Sequence, residues 1–185
     1  DQSKVLARAK ALSVAGFSAA WQGNADWARF LLADAESINE QSPNMHIMAM
    51  VHTGYAIAAL STADLATSQT HFEQSIACYR EAGDIWSAVM ALNGLLRVAG
   101  LNCDFATSDR VYNDLQALLP ALNDQVSIAV ATCEMGFVSL QRRDVALAET
   151  QLRQAIRQCR EAGYREGVIW SLESLAGAAF VSGNV

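Results

Sequence analysis

The stretch R80-EAGDIWSAVMALNGL-L96 decides how the rest of the chain is read, because it returns without a gap as R160-EAGYREGVIWSLESL-A176. Arg80, Glu81, Ala82 and Gly83 fall on Arg160, Glu161, Ala162 and Gly163, and Leu92 and Leu95 fall on Leu172 and Leu175. A register kept over eighty residues marks a repeat array.

Working outward, a short polar residue recurs every forty residues at Asn24, Asp64, Asp104, Asp144 and Asn184. Asn and Asp side chains accept hydrogen bonds from the first free N–H groups of a helix, so each position predicts a helix start. After each cap comes a small column, Ala28, Ser68, Ser108 and Ala148, then a large one four residues on, Leu32, Phe72, Tyr112 and Leu152. These spacings trace one helical face, and a small residue lets a neighbouring helix come close.

Each such helix is predicted to stop at Pro43, Gly83, Asn123 or Gly163, and Asn44, Asp84 and Asp124 cap the next, with Tyr164 the exception, its helix expected to start slightly later. In that second helix the small column is Gly16, Ala56, Leu96, Gly136 and Ala176, where Leu96 is out of pattern and predicts local splaying. The expected helices are 3–21, 24–41, 44–61, 64–82, 84–101, 104–119, 124–141, 144–162 and 165–181, with both Pro43 and Pro120 in turns. No alternating-apolar stretch suggests a strand. The fold class is therefore all-α: a right-handed solenoid of antiparallel helix pairs with a forty-residue period. The repeats are expected at about 3–43, 44–83, 84–123 and 124–163, with a partial one at 164–185, in one repeat domain spanning 1–185.

The chain has 185 residues, 52% of them hydrophobic and 17% charged, which argues for a folded core. Its net charge of −6 and lack of clustered Lys and Arg argue against direct nucleic-acid binding. Apolar runs are broken every few positions, so no membrane span is expected. Cys78, Cys103, Cys133 and Cys159 are too widely spaced for a zinc site or a small disulfide framework, which suggests reduced thiols in the cytoplasm. The start at Asp1 and the stop at Val185 predict a fragment of a longer protein. A last helix without its own pair would leave Trp170, Leu172, Leu175 and Phe180 as a sticky face, offering a route to a homodimer.

Gly16 with Ala28 and Leu32, and Gly136 with Ala148 and Leu152, resemble the signature of tetratricopeptide repeats. The unit departs from the common repeat by being forty residues long, where thirty-four is usual. The phrases RAKALSVAGFSAAWQGN from Arg8, FEQSIACYREAGD from Phe72 and VIWSLESLAGAAFVSGN from Val168 are similar to the C-terminal helical-repeat regions of bacterial LuxR-type, MalT-like signalling regulators that carry an NTPase module. That resemblance implies a sensor or interaction domain for an adjacent effector domain.

His46, His52 and His71 make no metal motif, and no phosphate loop or nucleophile motif is present, so no catalytic residue, metal or cofactor is expected. His52 shares a column with Leu12, Leu92 and Leu172 and is read as a packed, hydrogen-bonded histidine. If the first helix of each pair lines a concave groove, as the resemblance implies, the binding residues are Phe17, Trp21, Met50, Thr53, Ile57, Met90, Asn93, Arg97, Cys133, Phe137, Gln141, Trp170 and Glu173. Such a groove suits a partner peptide, an amphipathic helix or a small effector. Asn93 and Arg97, one turn apart, could hold a carboxylate or phosphate, unless Arg97 pairs with an acid such as Glu173. The alternative function is an oligomerisation scaffold that uses the array ends and convex face.

Overall fold

A computed structural model describes residues 2–182. Asn184, the last of its cap column, lies outside the described residues. Among those described there are nine helices and no strand: α1 (Gln2–Trp21), α2 (Ala25–Gln41), α3 (Met45–Ser61), α4 (Leu65–Glu81), α5 (Ile85–Leu101), α6 (Phe105–Leu122), α7 (Gln125–Gln141), α8 (Val145–Glu161) and α9 (Arg165–Ser182). The protein is an all-helical, repeat-like array, compatible with a tetratricopeptide-like fold.

The starts follow from the caps. Side-chain oxygens of Asn24, Asn44, Asp64, Asp84, Asp104, Asp124 and Asp144 each accept from the backbone N–H three residues on, at 3.0 to 3.3 Å. Each such cap stabilises its helix by about 1 kcal/mol relative to alanine. Helix α9 begins at Arg165, in register with the others, so Tyr164 in the cap position does not delay it.

Helix ends are less uniform. Gly83, Asn123 and Gly163 take left-handed backbone, as expected, and so do Gly23, Ala63, Cys103 and Arg143 in the other set of turns. The expected stop before Pro120 is corrected: α6 runs to Leu122, and Asn123 (φ 48°) closes it by donating its N–H to Leu119 O at 3.3 Å. A proline this near the C-terminus forfeits only its own N–H, and the last carbonyls keep other donors.

The chain forms two compact units, 1–91 and 92–185. In the first, α1 packs on α2 and α3, and α3 on α4. Its core is built largely of small residues, Ala19, Ala28, Ala35 and Ala58, around the fully buried Leu32. A Cβ on Gly16 would lie 2.6 Å from Leu32 Cγ, so only glycine allows α1 this close to α2. In the second unit α7 packs on α6, α8 and α9. Gly136 repeats the device there: its Cβ would stand 2.7 Å from Cγ of the buried Leu152.

Candidate functional site

Of the thirteen groove residues read from the sequence, six lie in the first unit and seven in the second. In the first, Phe17 sets its edge against exposed Trp21, with ring centroids 6.2 Å apart. The Thr53 hydroxyl is engaged by Ser75 Oγ at 2.6 Å and by Ala49 O at 2.9 Å. Met50, Ile57 and Met90 are half-buried.

The second unit holds a denser constellation. Arg97 on α5 reaches Glu134 on α7, with Nη2 donating to Oε1 at 2.9 Å and Nε lying 2.7 Å from Oε2, an ionic contact without hydrogen-bond geometry. Its guanidinium also covers the Phe137 ring at 4.4 Å. Glu134 is only 5% exposed. Burial pushes its carboxyl up, and Arg97 pulls it back. For Arg97, burial works against the charge and Glu134 outweighs it, which holds the guanidinium up. The acid that holds Arg97 is thus Glu134, and exposed Glu173 contributes only through its field. This corrects the expected Glu173 partner, and it also neutralises the cation that was to bind a free carboxylate or phosphate.

One turn before Arg97, Asn93 is 3% exposed, and neither its amide nitrogen nor its oxygen has a hydrogen-bond partner. An unpaired buried amide costs about 1–3 kcal/mol. Cys133, beside Glu134, is buried, and its thiol is pushed up to about 12 chiefly by burial. That environment suppresses thiolate chemistry. Trp170 packs on the core of Cys133, Leu152 and Ala155 and is not a free wall of a groove, while Gln141 is half-buried.

Two features lie outside the sequence reading. A cleft of about 340 Å³ opens among α6, α7 and α8, lined in part by Gln116, Gln151, Gln154 and Gln158. Gln158 Oε1 is buried there without a partner. On α9 the exposed apolar stripe is Ile169, Leu172, Ala176 and Phe180, the last 75% exposed, because Trp170 and Leu175 of the expected sticky face turn inward.

In the first unit, half-buried His52 is hydrogen-bonded, as expected, and its partner is His71 on the neighbouring helix. Among the described residues, no three His, Cys, Asp or Glu side chains are grouped to hold a metal ion, and no helix is long and apolar enough to cross a membrane. All four cysteines are free. No protein-family model and no curated protein matches the chain.

Proposed function

We propose that this chain is a non-catalytic interaction or ligand-sensing module of a cytoplasmic signal-transduction or transcription regulator. On this reading a partner peptide or small effector binds along its helices and biases an attached effector domain. The resemblance of its repeats to tetratricopeptide arrays of LuxR-type, MalT-like regulators supports the reading.

The observation that carries it is the buried polar patch of Asn93, Arg97 and Glu134, with the guanidinium laid over the Phe137 ring. A buried ion pair can commonly be replaced by apolar residues without loss of stability, so it is weak material for a scaffold alone. The sequence itself offers the apolar solution, with Phe17 and Gly54 at the equivalent positions. An unpaired amide beside an already neutralised cation favours a ligand that brings amide groups, such as a peptide backbone, over a free anion.

Asn93→Leu tests this, because it removes the unpaired amide at similar volume. The expected outcome is a gain in stability of about 1 kcal/mol or more in chemical denaturation. Binding of end-capped peptides with neutral side chains, titrated calorimetrically, should weaken at the same time. If every peptide that binds the wild type binds Asn93→Leu equally well, the patch is not a ligand site. If none binds the wild type, the chain is better read as an assembly scaffold.

A further inference from the structure

We propose that His52 and His71 form a two-imidazole chelate for a divalent transition-metal ion of the zinc or nickel class. The two Nδ1 atoms face each other at 3.1 Å, one from α3 and one from α4. Nitrogens bound at the usual 2.0–2.1 Å to one ion stand about 2.9 Å apart at a right angle and about 3.4 Å apart in a tetrahedron. The observed separation falls between those two bite distances, so an ion can take the place of the shared proton with ring shifts of a few tenths of an ångström.

The surroundings suit a cation. Burial first, and then His71, hold His52 below its ordinary value of 6.5. Burial likewise lowers His71, which favours the neutral imidazole that ligates a metal. Glu36 on α2 accepts from the Tyr55 hydroxyl at 3.1 Å, and its negative field acts on both histidines. The Tyr55 ring lies against His71, with centroids 5.1 Å apart. Both histidines are half-buried, so water can complete the coordination.

In the neutral pair one Nδ1–H donates to the other Nδ1. When the ion binds, that proton leaves and the ring takes one from water at Nε2, so no net proton is released. The helical hairpin does not need these residues. The same two positions carry Leu12 and Leu31, Leu92 and Val111, and Thr132 and Gln151 in the other repeats.

The chain without an affinity tag, titrated with Zn²⁺ and separately with Ni²⁺ at pH 7.5 under a non-thiol reductant, should bind one ion. His52→Gln and His71→Gln should each weaken it by at least the roughly tenfold that even an outer-shell partner is worth. His46→Gln should bind as the wild type does, because His46 sits apart, 3.2 Å from Asp84. Exposed Cys103 is a rival ligand, and the histidine variants separate the two. Equal affinity in wild type and His71→Gln, or no binding at millimolar metal, overturns the proposal. If a variant fails to fold, ¹⁵N resonances of wild-type imidazoles decide. Movement of the ring ¹⁵N signals of His52 and His71, with those of His46 unmoved, is expected, and movement of His46 alone or of none overturns it.

Discussion

Two helix seams in this protein follow one plan eighty residues apart and are filled differently. Where α1 packs on α3 in the first unit, Phe17 and Gly54 occupy the positions that carry Arg97 and Glu134 in the second. The first unit puts a half-buried aromatic ring at one position and, at the other, a glycine whose missing Cβ leaves room for Leu32 of α2. Its counterpart relies on a salt bridge that must be desolvated, at a net benefit near zero. The comparison teaches that the backbone plan tolerates either, so the choice at these positions is free to serve recognition.

Breaking the polar seam from one side should have the largest effect. Arg97→Leu strands the Glu134 carboxylate in the interior and should lose about 3–5 kcal/mol at pH 7. Without its counterion Glu134 has a folded-state pKa further above its unfolded value, so the folded state binds more protons. The loss should therefore be smallest near pH 4, around the unfolded glutamate value, and grow as pH rises. Combining Arg97→Phe with Glu134→Gly copies the first seam and should recover most of the stability, as read by urea denaturation. A double variant no more stable than the single one would show that the seams are not interchangeable.

The glycine contacts sharpen the comparison at an intermediate scale. A Cβ on Gly136 meets Leu152 Cγ at 2.7 Å and the Leu152 backbone N at 3.2 Å, whereas one on Gly54 meets mainly the terminal methyls of Leu32, at 2.8 Å. Overpacking costs about 1–3 kcal/mol, offset by nearly 1 kcal/mol of helix propensity. Gly136→Ala should therefore lower the melting temperature clearly, and Gly54→Ala only slightly, because methyl groups can swing away and backbone cannot.

The smallest effect should come from the histidines. Their folded-state pKa values lie below the unfolded one, so the unfolded chain takes up protons first as pH falls through about 6.5. Stability present above that pH is lost on acidification, with Glu36 partly resisting the change. Replacing the pair by His52→Leu with His71→Val, the residues of the next hairpin, should flatten the melting temperature between pH 7 and pH 5.

The scaffold was largely legible in the sequence, because caps and small-residue columns act locally and repeat. Asn24 to Asp144 mark helix starts by side-chain chemistry alone, and Gly16 and Gly136 announce close approach by their spacing from Leu32 and Leu152. Pro120 misled because its cost depends on how far the helix continues, which a later residue, Asn123, decides. Ala63, Cys103 and Arg143 gave no sign of their left-handed backbone, since the turn is imposed by the helices it joins. The candidate site was half legible. Asn93 and Arg97 stood out as polar residues on an apolar face, but Glu134 was invisible to an argument made one helix at a time. Its signal was that it is the one charged residue in the column of Val14, Gly54, Gly94 and Ser174. His71, like Gln151, departs from the apolar Leu31 and Val111 of its column.

The evenly spaced caps also bear on how the chain reaches this structure. Seven helix starts twenty residues apart mean that each hairpin carries its own instructions and closes over a short loop. Folding can therefore begin at whichever hairpin first finds its partner helix and spread to its neighbours, without waiting for distant segments to meet. Hairpins that mature early and late are then set by local sequence. The polar α5–α7 seam, with its desolvation to overcome, is the natural place for that spreading to pause.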